Sequence, residues 1–420
     1  MRKKNAIPLL AVGVAELLLT ACSGGTGSAD AAPGGGSGVK EIKVVIAEYS
    51  KNHTEAFWDA FAKTYKAQTG IKLNLQIIGW DSIDQQASTM IQNGSPPDIL
   101  NLNAYASYAK DGLLYNSDEV LPATTKADLI DAFVKSGTYN GKMYGFPDLA
   151  SSRAMFYNKD LFRQAGITAA PKTWAEFVSD AKKVTALGNG TVGYAEPLGP
   201  EEAQAEFSIW AFNNDGAWKT GGKWTINSPK NIETLQFLKD LSTKYKVTQN
   251  NPGKTNRTDG AFSLFSSGKA GMVVGLSQLS TTLDADKKVN YGVAPMPTKD
   301  GSASQTYGVT DYLMAFKKSG NQDAVKKFYQ LYYQADQVNT WIKSEGFLPV
   351  TKSGLKVFAS DSALKVYLDT LPHIHLTPTD DPAWDKIKLA VQQNIGAAVA
   401  PNGDPASVLN ELQKTAESSG

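Results

Sequence analysis

Carboxylates, amides and aromatic rings recur at the ends of short apolar runs along this 420-residue chain. Glu48 and Tyr49 follow the β-branched run Ile42 to Ala47, and Trp80 and Asp81 follow the alternating Leu73, Leu75 and Ile77. Asn101, Asn103 and Tyr105 lie at the end of a third run that starts at Ile99. Asp148, Arg153, Glu196 and Asp311 stand in similar places farther on, and Trp210 and Gln278 lie beside further apolar segments. One such end is commonly a helix cap or a half-buried core residue. Three that pair a carboxylate or amide with an aromatic ring describe a polar site with stacking faces, since rings present flat apolar area and the polar groups supply donors and acceptors.

Covalent chemistry finds little support. There is no G-x-S-x-G nucleophile elbow, and no G-x-G-x-x-G follows the first strand-like run. Gly253-Lys254-Thr255 ends like a phosphate-binding loop, but Thr248 stands where its first glycine belongs and Pro252 interrupts it. The three histidines, His53, His373 and His375, lack the partners of a metal site. Glu48, Asp81, Asp148, Glu196 and Asp311 leave a glycosidase carboxylate pair open, and they suit hydrogen bonds to hydroxyls equally well.

The elements that must position these groups alternate. The first run leads to a helix bearing Phe57, Ala60, Phe61, Thr64 and Tyr65 on one face. After the second run, Ile83, Ala87, Met90 and Ile91 line the next helix. Strand, helix, strand, helix, strand is the pattern of a mostly parallel α/β sheet, whose ligands bind beyond the carboxyl ends of the strands. Met143 to Phe177 is the pivotal stretch. It reads as an apolar strand Met143–Phe146 stopped by Pro147, a polar run to Arg153, a second strand Ala154–Tyr157, and two helices, the later one opening on the capping box Thr173 to Glu176. Two strands in series can carry the chain from one lobe to another. Asn140-Gly141 predicts a tight hairpin turn just before it.

The length predicts two lobes. The formal charge is +1, and it turns to −1 once Arg2, Lys3, Lys4 and Glu16 are set aside, so nothing favours nucleic acid. The first 21 residues read as a processing signal: a basic start, an apolar stretch from Ala6 to Leu19 interrupted by Glu16, and Leu19-Thr20-Ala21-Cys22. That last tetrapeptide resembles a bacterial lipobox, with Cys22, the chain's one cysteine, as the lipidated residue. The 16 residues Ser23 to Gly38 are a Gly/Ser/Ala-rich tether with a reach of roughly 20–24 Å.

Several segments together resemble the solute-binding proteins of ABC sugar importers, the maltose-binding-protein-like family. They are Thr69 to Leu73, Gly94 to Ile99, Phe156 to Asp160 with Pro171 to Trp174, Val289 to Val293, and Gly346 to Val350. The resemblance implies an α/β, two-lobed, type II periplasmic-binding-protein-like fold with a ligand cleft between lobes. It divides the chain into residues 39–149 and 297–345 for the N-terminal lobe and 150–296 and 346–420 for the C-terminal lobe. It also implies a carbohydrate ligand captured by lobe closure, no catalysis and no cofactor. The protein is then a monomer, anchored by lipid to the outer face of the cell membrane, that delivers its ligand to ABC permease subunits. Asn103 and Glu196 match polar positions that bind sugar, and Trp384 matches a tryptophan that stacks on a pyranose ring. The family tryptophan after the run Gly271 to Val274 is missing, with Ser277 and Gln278 in its region. Arg153 motivates one alternative, a phosphorylated or acidic polyol. The carboxylates motivate another, a secreted glycosidase.

Overall fold

The first β-branched run forms the strand Glu41–Glu48, which pairs in parallel with Lys72–Gly79 and with Ile99–Leu102. All three carboxyl ends therefore leave the sheet at one edge. Thr306–Ala315 joins antiparallel to Ile99–Leu102, with Met314 opposite Leu100, and on Phe146–Ser152 it also pairs antiparallel. Ile374–Leu376 adds a short parallel pairing to its start. Every residue of Thr306–Ala315 is buried, as expected of a strand covered on both faces. The computed structural model describes residues 39–361, 364–370 and 374–419. Cys22, the tether and His373 lie outside the described residues.

A second, four-stranded sheet forms the other lobe. Ala154–Asn158 is antiparallel to both Ala270–Gly275 and Tyr291–Ala294, with Phe156 opposite Val273 and Val293. Ala270–Gly275 is parallel to Val192–Ala195. Phe146–Ser152 and Ala154–Asn158 thus belong to different sheets, and Arg153 is the single residue between them. Its backbone N–H donates to Tyr307 O at 3.0 Å, which ties this crossing to Thr306–Ala315.

Two sequence expectations change here. Pro147 does not stop a strand: Phe146–Ser152 runs through it, because the register shifts between Asp311 and Tyr312. Leu149 faces Asp311 and Pro147 faces Tyr312, so Asp148 is the extra residue of a bulge, a place where a sheet tolerates proline and re-aims a side chain. The expected division shifts as well, since Ala150 to Ser152 stay in the first sheet and the segment after Gly346 packs with that lobe. Leu348 bridges Ala150, Thr351 bridges Leu129, and Ser353 binds Asp128, so this stretch packs on the N-terminal lobe. The helices Trp384–Ala398 and Pro405–Glu417 return to the C-terminal lobe, against Ala203–Phe212 and Pro229–Thr243. The hairpin turn at Asn140-Gly141 forms with both residues at positive φ, and Thr173 and Glu176 make their capping box.

Candidate functional site

The strand ends and the crossings converge on a cleft lined from both lobes. The N-terminal lobe supplies Tyr49, Trp80, Asp84 and Asn103, and the crossings supply Ser151, Arg153 and Asp311. The C-terminal lobe supplies Glu201, Glu202, Gln204, Arg257, Gln278, Lys388 and Gln392. It encloses about 540 Å³ of atom-free space, counting what is open to solvent.

Asp311 anchors the floor. One carboxylate oxygen meets the Tyr49 hydroxyl at 3.0 Å, and the other is buried with no partner among the described residues. Burial pushes its pKa up to about 7. Glu202 adds to the rise, while the Tyr49 bond, Lys388 and Arg153 pull it back. Tyr49 also reaches Asn101 Oδ1 at 3.0 Å, and Asn101 Nδ2 donates to Asp148 at 2.9 Å. Tyr332 donates to the other oxygen of Asp148, which burial pushes up to about 8. A chain of polar groups therefore runs from the sheet interior to the cleft floor. With Asp311 protonated it is fully ordered: Asp311 donates to Tyr49, and Tyr49 to Asn101.

The walls carry paired charges. The Lys388 ammonium lies 2.9 Å from both oxygens of Asp84 and 2.9 Å from Asn103 Oδ1, joining a C-terminal-lobe helix to the N-terminal lobe. Gln278 Nε2 likewise crosses to Tyr49 O at 2.5 Å. Arg153 Nη2 donates to Glu202 at 2.5 Å, Arg257 donates to the second Glu202 oxygen, and Arg257 also reaches Glu201 at 3.3 Å. Burial works against the Arg257 charge, but Glu202 and Glu201 raise its pKa above the ordinary value. Gly199 makes this cluster possible. Its N–H donates to Thr255 O at 2.8 Å, and a Cβ there would lie 2.6 Å from Asn256 Oδ1 and 2.7 Å from Thr255 O. Only glycine lets the loop carrying Glu201 and Glu202 lie against the loop carrying Arg257.

Of the residues expected from sequence, Tyr49, Trp80, Asn103, Arg153, Gln278 and Asp311 line the cleft. The others lie elsewhere. Asn101 and Asp148 are fully buried behind Tyr49. Tyr105 turns inward, its hydroxyl on Ser136 O at 3.0 Å and its ring edge-on to Tyr312. Trp210 packs on Phe177 and bonds Glu206 at 2.8 Å. Glu196 is fully buried near Glu206 with neither carboxylate oxygen partnered among the described residues. Burial holds it well above the usual carboxylate range. Trp384 is 1% exposed, edge-on to Trp218 at 5.3 Å and stacked on Trp224 at 6.3 Å, because it begins its helix on the face turned to the lobe's core. Glu48 is half-buried and Asp81 exposed, both off the lining.

Sequence reasoning missed Asp84, Glu201, Glu202, Gln204, Arg257, Lys388 and Gln392. Lys388 had a usable signal, since it lies four residues after Trp384 in a run that reads as helix.

Two lobes joined by strand crossings, with polar groups from each facing one cleft, define a two-lobed ligand-binding protein. Residues 50–339 match the family described as bacterial extracellular solute-binding protein, and the chain belongs to that family. Among its relatives, a diacetylchitobiose binding protein of Streptomyces coelicolor is 25% identical over 354 residues, covering 81% of each chain. An sn-glycerol-3-phosphate-binding periplasmic protein of Agrobacterium fabrum is 28% identical over 254 residues, covering 57% of this chain and 54% of its own. A solute-binding protein of an ABC transporter from Thermotoga lettingae, solved with α-D-tagatose, superposes with a TM-score of 0.79 at 21% identity. That superposition covers 90% of this chain and 99% of the other.

Proposed function

We propose that the chain is the capture subunit of an ABC importer, taking a carbohydrate into the interlobe cleft and presenting it to membrane permease subunits. The observation that carries this reading is the mixture of unpartnered donors and acceptors on residues that line the cleft. Arg153 Nη1 and Arg257 Nε are buried donors without partners, and Gln204 Oε1 and Asp311 Oδ1 are buried acceptors without partners, among the described residues. A hydroxyl group donates and accepts, so a polyhydroxylated ligand answers both kinds at once. Trp80, half-buried at the rim and edge-on to Tyr49 at 5.5 Å, offers an apolar face for sugar C–H groups. The ligand contacts in this reading are Tyr49, Trp80, Asn103, Arg153, Gln278 and Asp311, joined by Gln204 and Arg257. The similarity to a diacetylchitobiose binder over most of both chains supports it.

Contacts from both lobes favour the closed form when ligand bridges them, and closure is the signal the permease reads. In this reading Cys22 carries a lipid anchor at the outer face of the cell membrane, the protein is a monomer, and it performs no catalysis. Calorimetric titration with neutral oligosaccharides tests the reading: saturable heat with at least one of them is expected, and none from any would refute it. Product released on prolonged incubation with the bound sugar would favour the glycosidase alternative.

A further inference from the structure

We propose that this cleft selects neutral ligands over anionic ones, and that Glu202 sets the selection by occupying the two guanidinium groups an anion would seek. The inference rests on the carbohydrate reading and narrows its ligand class. Each oxygen of Glu202 takes a different arginine, Oε1 from Arg153 and Oε2 from Arg257. Glu201 takes a further Arg257 nitrogen at 3.3 Å. The four side chains are between 4% and 16% exposed, so these charges are held in a poorly solvated place, where paired charges resist separation.

The third cation, Lys388, is taken by Asp84 and Asn103. On the lining, Arg153, Arg257 and Lys388 face Asp84, Glu201, Glu202 and Asp311, so no excess positive charge is left. A phosphate or carboxylate would meet only Arg153 Nη1 and Arg257 Nε unless it broke the Glu202 bridge. It would also bring negative charge toward Asp311, whose second oxygen already lacks a partner. An ionised oxygen only accepts, so where it replaces a hydroxyl beside Gln204 Oε1 it leaves that acceptor unanswered.

The local structure fits a purpose-built arrangement. Arg257 begins a π-helical turn, Arg257–Phe262, a rare geometry found mostly at functional sites, and its guanidinium lies 5.5 Å from the Phe262 ring centre. Glu202 is the residue from which the helix Ala203–Phe212 starts, so its backbone is fixed by a long buried element. Buried ion pairs contribute little net stability, which makes a role in selecting the ligand the better account of this one.

The test uses the full-length chain and calorimetry with neutral oligosaccharides, inorganic phosphate, glucuronate and sn-glycerol 3-phosphate. The wild type is expected to bind a neutral sugar at least tenfold more tightly than any of the anions. Glu202→Gln, which keeps the shape and removes the negative charge that both arginines share, is expected to gain at least tenfold in affinity for one or more of the anions. Adding Arg257→Gln to it should abolish the gain. A wild type that binds an anion within tenfold of its neutral sugar overturns the proposal, whether or not the variant folds. So does a Glu202→Gln protein with native circular dichroism and no gain for any anion. Failure of every neutral carbohydrate to bind the wild type refutes the carbohydrate reading instead, and an anion gain in Glu202→Gln would still establish the charge block.

Discussion

Replacing Asp311 by Asn tests the electrostatics of the cleft floor through the pH dependence of stability. The Asp311 carboxyl has an ordinary pKa of 3.8 and is pushed up to about 7 in the folded protein. Between those values the folded state holds a proton that the unfolded chain has lost, so stability falls as pH rises through the window. The benefit is complete below about pH 4 and gone above about pH 7. At about 1.4 kcal/mol per pH unit, the loss from this one group is of order 4 kcal/mol. Asparagine offers Nδ2 as a donor to the Tyr49 hydroxyl, in place of the protonated carboxyl, and does not titrate. Urea unfolding of wild type and Asp311→Asn at pH 4 and pH 8 reads the difference directly: the variant should gain about 4 kcal/mol relative to wild type on moving from pH 4 to pH 8. Parallel pH curves would show that Asp311 stays ionised throughout and would refute the argument that burial governs it.

Trp384→Ala should cost about 3–5 kcal/mol of stability, as expected for a large buried side chain, and leave ligand affinity unchanged where the protein stays folded. Trp80→Ala should do the opposite, weakening sugar binding by about 1–3 kcal/mol with little effect on unfolding. Measuring both variants by calorimetry and urea titration separates rim from core, and affinity loss confined to Trp384→Ala would reverse the assignment. Lys388→Met removes a charge-assisted contact between lobes worth about 1.5–3 kcal/mol, so small-angle scattering of the ligand-free protein should show a larger radius of gyration. An unchanged scattering curve would show that the contact does not hold the lobes together.

The fold was legible because alternation and helical spacing are local. The run Ile42 to Ala47 and the Leu73 to Ile77 pattern each announce a strand, and their polar ends fall on one edge once the strands pair in parallel. Tyr49, Trp80 and Asn103 were found by that logic, and Asp311 as the lone charge inside an apolar run. The logic failed where a side chain's direction depends on packing. Trp384 begins a helix, and only the presence of Trp218 and Trp224 turns it inward. Glu196 ends a strand as expected, yet Gln249 clasps its backbone at 3.0 and 2.6 Å and the carboxyl points into the lobe. The Arg153–Glu202–Arg257 cluster joins positions about 50 residues apart in sequence through a π-helical turn, and no local pattern encodes such a meeting. The bulge at Asp148 was hidden for a similar reason: proline reads as a strand stop until a partner strand accommodates it.

The most direct measurement is calorimetric titration of the full-length protein with a panel of neutral oligosaccharides that includes diacetylchitobiose and maltotriose. The account predicts saturable binding of one sugar per chain for at least one member, weakened by Trp80→Ala. No heat from any of them, or binding indifferent to Trp80, would contradict it.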